Sequence, residues 1–199
     1  MHTISKITTD VKEFPLKDGD GTDSIHTDPV YSYIITYLHT DSSIRGTGIV
    51  FTIGAGNQEI RSLVEGLAGS LVGCEIEELM AEFGIWFRKL ADHPQYRWLG
   101  PHKGMIHLAL ASITNACYDL WAKTRDVPLW RLLIDLNPDE IVNTLDLSYL
   151  EDELTPEDAI RLLQENQASS PEREAILGVG YPGYDTSIGW FNYSDEQVK

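Results

Sequence analysis

The sequence predicts an α+β fold in which a three-stranded antiparallel meander lies beside a helical bundle. Three observations lead to this fold class. Residues 1–53 alternate β-branched and aromatic residues with polar ones, which is typical of strands with one buried face. Residues 105–133 repeat apolar side chains at helical spacing. After residue 140 the predicted order becomes strand, helices, strand and helix start, which is the beginning of an α/β repeat.

The meander is predicted from three runs of residues. Residues 4–16 are rich in β-branched residues, residues 31–40 alternate Tyr and Ile with polar residues, and residues 45–53 follow a Ser-rich turn. The intervening residues 17–29, KDGDGTDSIHTDP, are polar and rich in Gly and Asp. A loop of this length without regular structure is usually functional or disordered.

Helices are predicted over residues 58–72 and 76–91, followed by a loop over residues 92–104 that contains aromatic residues, Pro and Gly. The next helix should form the centre of the fold, because a broad apolar stripe covers one of its faces. The stripe consists of Ile106, Ala109, Leu110, Ile113, Ala116, Cys117, Leu120 and Trp121. Pro128 ends this helix, and residues 129–133 begin a short second one. We interpret the pair as a buried helical hairpin without catalytic chemistry.

Capping signals organise the last third of the chain. Residues 137–140, NPDE, form a capping box with Pro at the first helical position, and residues 141–147 have the pattern of a strand. Helices should begin at Thr155 and Ser170, and residues 184–187 have the pattern of a short strand.

The C-terminal residues carry another helix-start signal. Ser194 is a good N-cap with Gln197 three residues later, and only two residues follow that glutamine. A start signal without a helix behind it leads us to expect that the chain stops inside a larger unit.

Charge and composition exclude several classes of function. The 199 residues include 15 Lys and Arg against 31 Asp and Glu, a formal net charge of -16. Such a chain repels nucleic-acid phosphates and anionic membrane surfaces, so we expect neither as a partner. Hydrophobic residues make up 42%, which is enough for a real core and too much for a disordered chain.

The cysteines and the N-terminus indicate a compartment. Cys74 and Cys117 form no CxxC pair, and Cys117 lies on the apolar stripe, which favours a reduced buried thiol. No apolar run approaches a membrane span, and the N-terminus has neither a signal peptide's apolar core nor the acid-free composition of a transit peptide. We expect an intracellular protein, cytoplasmic or mitochondrial.

Two short motifs do not predict sites. Gly54-x-Gly56 has the spacing of a dinucleotide loop, but Glu59 takes the third glycine position and would face the pyrophosphate. His26-x-Asp28 could be half of a metal site, but no third ligand is near in sequence, so a solvated loop is favoured.

Two histidines and a sequon also receive structural interpretations. His102 and His107 flank the start of the core helix without a nucleophile and acid around them, which favours surface and helix-face roles. Asn192-Tyr193-Ser194 matches a glycosylation sequon, and we interpret it as a chance match because nothing indicates secretion.

Two loops are better candidates for recognising a small polar ligand. The segment Gly21-Thr22-Asp23 with Tyr31, and the pair Arg97-Trp98, combine donors, a carboxylate and aromatic rings on irregular backbone. The alternative is that the first is only a loop tip and the second a loop packed on its own Trp. Spacing alone leaves both readings open.

Several motifs together resemble a known family. Asn115-Ala116-x-x-Asp119-Leu120-Trp121-Ala122-Lys123, then Pro128-Leu129-Trp130-x-Leu132-Leu133, is similar to the end of the N-terminal capping domain of the enolase superfamily. Further motifs resemble the L-fuconate dehydratase-like branch, with its animal mitochondrial members. They are His26-Thr27-Asp28-Pro29-x-Tyr31, Phe51-Thr52-x-Gly54-x-Gly56, Arg97-Trp98-x-Gly100-Pro101-x-Lys103-Gly104 and Gly180-Tyr181-Pro182-x-Tyr184-x-Thr186-Ser187. The similarity covers essentially the whole chain in register.

The resemblance implies a fold and a reaction. Residues 1–138 would form an α+β capping domain, and residues 139–199 would be the first β/α segment of a truncated TIM barrel. In the family, a barrel base removes the proton α to a sugar-acid carboxylate, and Mg²⁺ stabilises the enediolate. Elimination of water then gives a 2-keto-3-deoxy acid. The resemblance carries substrate contacts over to Gly21, Thr22, Asp23 and Tyr31.

The same resemblance implies that the catalytic groups lie elsewhere. The family's Lys-x-Lys base motif would follow Lys199, and its three metal carboxylates and catalytic His would come later still. We therefore expect no catalytic and no metal-binding residue in this chain, and no turnover by the chain alone. Its expected partners are a sugar acid resembling L-fuconate and the missing barrel domain, with a homo-oligomer by analogy.

Departures from the family pattern leave alternatives open. His102 stands where relatives have an acid, Ser148 replaces an arginine, and Cys117-Tyr118 replaces a Val-Trp pair. One alternative is a dehydratase for another acid sugar. The other is a free-standing noncatalytic module that binds a ligand or assembles with a separate chain.

Overall fold

The computed structural model describes residues 1–17, 19–99, 103–180, 182–184 and 190–198. Its sheet is the predicted meander: β1 (Ile4–Pro15), β2 (Val30–Thr40) and β3 (Arg45–Thr52) are antiparallel and lie in sequence order. The register pairs Val11 with Ile34 and Ile34 with Val50 across the three strands. Because side chains alternate along a strand, this register places one set of apolar residues on the face that meets the helices.

Nine α-helices are described along the chain. They are α1 (Asn57–Ala68), α2 (Ile76–Ala81), α3 (Phe83–Ala91), α4 (Met105–Thr124), α5 (Leu129–Asp135), α6 (Pro138–Asn143), α7 (Pro156–Glu165), α8 (Ser170–Gly178) and α9 (Asp195–Val198). Short 3-10 segments occur at Gly69–Leu71, Tyr96–Trp98 and Gln167–Ser169. The three predicted strands of the meander are confirmed with boundaries that differ by at most one residue. The predicted core helix is also confirmed, and it ends at Thr124, a few residues before Pro128.

Helix α4 is the centre of the fold, as its sequence predicts. All eight predicted stripe residues are buried, and the helix packs across β3 and β2. Two glycines of β3 allow this close approach. A Cβ atom at Gly48 would lie 2.0 Å from the carbonyl oxygen of Ser112, and one at Gly46 would lie 2.3 Å from that of Ala116. The helix backbone therefore rests directly on the strand backbone.

Two helical predictions need correction. The predicted helix over residues 76–91 is divided at Glu82, whose φ of -127° and ψ of 25° interrupt it. Gly84 follows the break, and a Cβ atom there would lie 2.0 Å from the carbonyl oxygen of Leu145, so the close approach of these two segments requires glycine. The hairpin's second helix, α5, is not a buried helix. Only Leu132 of α5 is buried, and Trp130 is 52% exposed.

The predicted strand over residues 141–147 is wrong. The capping box at Asn137 and Glu140 forms as predicted, and its helix α6 continues through Asn143. The following residues, as far as Leu147, have no regular structure. A strand needs a neighbour to pair with, and the sheet of the described residues contains only the three strands of the meander.

The C-terminal elements agree with most of the sequence predictions. Helix α7 begins after Thr155, whose side chain accepts a hydrogen bond from the backbone nitrogen of Asp158, and α8 begins at Ser170 as predicted. Tyr184 has no regular structure, and the rest of the strand predicted over residues 184–187 falls outside the described residues. None of the described helices is long and apolar enough to cross a membrane. The boundary between residues 138 and 139 stays a prediction.

Candidate functional site

The loop between β1 and β2 brings Gly21 against Tyr31. Gly21 has a φ of +68°, a backbone conformation that glycine adopts without the cost a side chain would add. A Cβ atom there would lie 2.8 Å from Leu16 Cδ1 and 3.1 Å from the phenol oxygen of Tyr31. The predicted pair of Gly21 and Tyr31 is therefore in contact, and the loop backbone lies against the tyrosine ring near the start of β2.

Asp23 closes the tip of this loop. Its Oδ1 atom accepts hydrogen bonds from the backbone nitrogens of Ile25 and His26 at 2.8 and 2.7 Å, and the His26 ring Nδ1 lies 3.0 Å from both carboxylate oxygens. The His26 side chain and these backbone bonds lower the pKa of Asp23 to about 2. Asp23 is exposed and ionised at neutral pH, and the hydrogen bonds that its carboxylate accepts from Ile25 and His26 stabilise the turn.

Thr22 is bound within the loop and contacts the C-terminal segment. Its hydroxyl donates to the carbonyl oxygen of Gly19 at 2.6 Å, and its own carbonyl accepts from the backbone nitrogen of Phe191 at 3.3 Å. The side chain of Asn192 donates to Asp20. No local sequence pattern indicates this contact, because Asn192 belongs only to a sequon and lies 172 positions from Asp20.

The end of β3 lies next to the same loop. Tyr31 packs edge-on against Phe51 with ring centroids 5.0 Å apart. The backbone nitrogen of Val30 donates to the carbonyl of Ile53 at 3.1 Å, and Gly54, with φ +116°, turns the chain beside Val30. The residues after β3 therefore border the loop between β1 and β2, a contact that their sequence pattern does not indicate.

The buried side-chain amide of Asn57 connects the ends of β1 and β3, from which the two neighbouring loops leave. Asn57, at the start of α1, is 4% exposed. Its Nδ2 donates to Glu13 near the end of β1 at 2.8 Å, and its Oδ1 accepts from the hydroxyl of Thr52 at 2.5 Å. These bonds join β1, β3 and α1 at the edge from which both loops leave.

The concavity at the loop is small. It has a volume of about 180 Å³, and its walls include Lys17, Asp20, Thr22 and Asp28. Sites for small molecules usually enclose about 300–1,000 Å³. The concavity at the loop is therefore too small to enclose a small-molecule ligand by itself.

The second predicted recognition loop does not line this concavity. Arg97 and Trp98 lie in a 3-10 turn. Trp98 is 87% exposed, so the rest of its loop does not pack around it. Arg97 interacts electrostatically with Tyr149, whose pKa is raised chiefly by the charge of Asp92. The structure places Arg97 near Tyr149, and neither Arg97 nor Trp98 lines the concavity at the loop between β1 and β2.

His26 and His107 each contact nearby residues. The ring Nδ1 of His26 lies 3.0 Å from Asp23 Oδ1. His107 accepts a hydrogen bond from the backbone nitrogen of Lys103 at 3.1 Å and packs edge-on against Phe87. His102 lies outside the described residues. Within the described ranges, no three His, Cys, Asp or Glu side chains are grouped so that they could hold a metal ion.

Comparison with protein families gives a match over much of the chain. Residues 9–133 match the family described as mandelate racemase / muconate lactonizing enzyme, N-terminal domain. The matched range begins in β1 and ends in α5, so it contains the sheet, the central helix and the loop of the candidate site.

Curated relatives extend the similarity to the rest of the chain. Human mitochondrial enolase superfamily member 1 is 40% identical over 200 residues, covering 98% of this chain and 45% of that protein. L-galactonate dehydratase of Hypocrea jecorina is 38% identical, covering 99% of this chain and 44% of that protein. The chain thus spans less than half the length of these relatives.

Solved structures agree with the fold. The crystal structure of human mitochondrial enolase superfamily member 1 matches with a TM-score of 0.91 and 39% identity, covering 99% of this chain and 46% of that chain. A racemase from Streptomyces coelicolor A3(2), solved with bound magnesium, matches with a TM-score of 0.57 and 22% identity, a likeness that concerns the fold alone.

Proposed function

The chain belongs to the mandelate racemase / muconate lactonizing enzyme family of the enolase superfamily, and from that premise we propose that it forms the substrate-capping part of a sugar-acid dehydratase. The reaction would remove the proton α to the carboxylate and expel the β-hydroxyl as water, giving a 2-keto-3-deoxy acid. The proposed substrate is a sugar acid resembling L-fuconate. Support comes from a relative named L-galactonate dehydratase at 38% identity.

One observation carries the proposal: the loop between β1 and β2 is held in shape by contacts among its own residues and with Tyr31. Gly21 rests on Tyr31, and Asp23 is fixed by His26 and two backbone nitrogens. A surface that is already ordered loses little conformational entropy when a ligand binds. This arrangement suits a wall that closes over a flexible polyol.

The charge of Asp23 would determine which end of a sugar acid faces the loop. An ionised carboxylate can accept hydrogen bonds from sugar hydroxyls through the remaining capacity of Oδ2, but it repels the carboxylate of a sugar acid. The substrate would therefore present its hydroxyl end to Asp23 and its carboxylate away from the loop. Tyr31 and the methyl group of Thr22 would limit access of water to the same end.

A racemase of similar fold was solved with bound magnesium. The described ranges of this chain contain no group of three His, Cys, Asp or Glu side chains that could hold a metal ion. We propose that the metal ligands and the base belong to the barrel half of the family fold. The roles left to this chain are binding, orientation and exclusion of water.

Two assays test this function. Purified chain with Mg²⁺ and L-fuconate or L-galactonate should give no 2-keto-3-deoxy acid, and turnover would contradict the assignment of the catalytic groups to another part. In an NMR titration with millimolar L-fuconate, shifts should be confined to residues 19–31 and 190–193. Asp23→Asn should weaken them, whereas Asp41→Asn, at the opposite end of the sheet, should leave them unchanged.

A noncatalytic binding or assembly module is a second candidate, favoured by the lack of a metal-ligand cluster among the described residues. The coding sequence beyond Lys199 separates the two. An in-frame continuation with a Lys-x-Lys motif supports the dehydratase, and a stop codon supports the module. The names of animal relatives favour mitochondria over the cytoplasm, which cell fractionation would test.

A further inference from the structure

One concavity of this acidic chain is lined by cationic and hydroxyl side chains, with no carboxylate among the described residues of its walls. It lies where the chain turns between β2 and β3, and its volume is about 600 Å³. Four other concavities on the described part of the chain each have at least two Asp or Glu side chains in their walls. We call the first concavity the turn pocket, and its walls are His39, Thr40, Ser42, Ser43, Ile44, Arg45 and Lys123.

Cationic side chains of all three strands meet at the turn pocket. The register pairs Lys6 with His39 and His39 with Arg45, and paired residues of neighbouring strands point to the same side of a sheet. Among the described residues, neither Lys6 nor Arg45 forms an ion pair with a carboxylate. Burial lowers the pKa of His39, and the charges of Arg45 and Lys6 lower it further. A positive potential therefore acts at this end of the sheet.

The Arg45 side chain is oriented without using its hydrogen-bond donors. Its guanidinium carbon lies over the ring of Tyr37, 4.3 Å from the ring centroid. A cation–π contact restricts the side chain but forms no hydrogen bond with the N–H groups. The planar guanidinium can therefore donate two parallel hydrogen bonds to the oxygens of an anion.

The turn between β2 and β3 adds further donors to the pocket. The Ser42 hydroxyl lies 2.8 Å from that of Thr40 and accepts a hydrogen bond from the backbone nitrogen of Ile44 at 3.2 Å. These bonds fix the turn. The hydroxyl and the backbone nitrogen of Ser43 form no hydrogen bond with another described residue. Both donors of Ser43 are therefore available to a ligand.

Two carboxylates near the pocket are bound to other groups. Asp119 accepts a hydrogen bond from Lys123 at 2.6 Å, and Lys123 also donates to the carbonyl oxygen of Arg45 at 3.1 Å. Asp41 accepts from the backbone nitrogen of Thr3 at 3.2 Å and does not line the pocket. Lys123 therefore contributes a donor whose charge is already balanced, and the unbalanced charges are those of Lys6 and Arg45.

We propose that the turn pocket binds a small phosphomonoester, with Arg45 and Ser43 contacting the phosphate. A phosphomonoester carries a charge of about −1.5 to −2 at neutral pH and three acceptor oxygens, which matches two unbalanced cations and the donors of the turn. A volume of about 600 Å³ lies within the range of about 300–1,000 Å³ for small-molecule sites. It leaves room for the organic part of the ligand beside the phosphate.

This site is separate from the candidate substrate loop. The turn pocket lies at the end of β2, whereas the loop between β1 and β2 precedes its first residue. The eleven residues of β2 span roughly 35 Å. A result at the turn pocket is therefore independent of the proposed dehydratase function.

NMR titrations at neutral pH and constant ionic strength test the site, with inorganic phosphate and glucose 6-phosphate as probes. Both should give saturable amide shifts confined to residues 39–45 and 123, and glucose 6-phosphate should bind more tightly because it fills more of the pocket. Acetate, which has a single charge and two oxygens, should give no saturable shift. The pKa of His39, followed through its ring shifts, should rise when phosphate is bound, because the anion offsets the charges of Arg45 and Lys6.

Two matched arginine variants test the contact. Arg45→Gln should raise the dissociation constant for both phosphates by about tenfold or more, because it removes a charge-assisted pair of hydrogen bonds. Arg88→Gln makes the same chemical change at an arginine of α3 that is 45% exposed, and it should bind as the wild type does. Both variants should keep the wild-type circular dichroism spectrum.

Several results would overturn the proposal. They are the lack of a saturable shift with either phosphate, equal shifts with acetate, wild-type affinity in Arg45→Gln, the same loss of affinity in Arg88→Gln, or an unchanged pKa of His39. A lipid headgroup is the other possible source of a phosphate. Co-sedimentation with phosphatidic acid vesicles, without binding of glucose 6-phosphate, would also contradict a small-molecule site.

Discussion

Gly48 of β3 and Ser112 of α4 are in direct backbone contact, and a Cβ atom at Gly48 would lie only 2.0 Å from the carbonyl oxygen of Ser112. The hydroxyl of Ser112 points into the same contact, 2.7 Å from that of Thr36 and 3.4 Å from the carbonyl of Gly48. The central helix is thus fixed to the sheet by backbone proximity and a buried polar group, as well as by its apolar stripe.

Replacing Gly48 by Ala should strongly destabilise the chain. The added methyl group has no space, so either the helix or the strand must move, at a cost of about 3 kcal/mol or more. Chemical denaturation should show this loss. The matched control is Gly69→Ala, where a Cβ atom has no neighbour within 4 Å and the change should stay below about 1 kcal/mol. Equal effects of the two substitutions would contradict the close contact.

The buried hydroxyl pair of Thr36 and Ser112 should behave non-additively. Ser112→Ala alone removes one partner from a fully buried Thr36 hydroxyl and should cost about 1–3 kcal/mol. Thr36→Val together with Ser112→Ala removes both polar groups and should cost less than the sum of the single changes. A double-mutant cycle by urea denaturation measures the coupling, and strict additivity would show that the bond has no energetic role.

Gly21→Ala should shift the candidate loop relative to Tyr31. The substitution adds strain at a positive φ, worth about 1 kcal/mol, and also a contact with the tyrosine ring. Gly73 has a φ of +92° with nothing near its Cβ position, so Gly73→Ala isolates the strain. NMR should detect changed Tyr31 ring shifts for Gly21→Ala only. Unchanged Tyr31 shifts in both variants would disprove the contact.

The turn at Asp23 should open in acid. Its folded pKa of about 2 is below the ordinary value of 3.8, so this group stabilises the folded loop above pH 4. That contribution is lost as pH falls from about 4 to 2 and the carboxylate is protonated. An NMR titration of the Asp23 carboxyl should give a midpoint near 2, and His26→Ala should raise it. A midpoint of 3.8 in the wild type would contradict the His26 interaction.

Local sequence signals predicted the elements whose formation is local. The alternation in residues 31–40 and the apolar stripe of α4 specify a buried face by themselves, and the capping box at Asn137 and Glu140 forms between neighbours in the chain. The predicted loop residues Gly21 and Tyr31 do lie together. Their roles toward a substrate stay a prediction.

The sequence alone determined the strands, the central helix and their order, because periodicity and capping depend on residues a few positions apart. Tertiary structure alone decided what depends on distant partners. Residues 141–147 have strand-like composition but no neighbouring strand among the described residues, so they form the end of α6 and an irregular segment. Asn192 reaches Asp20 across 172 residues, and no local pattern encodes that contact. A buried backbone group needs a hydrogen-bond partner, and the partners that the folded chain brings close to it decide which structure the segment adopts.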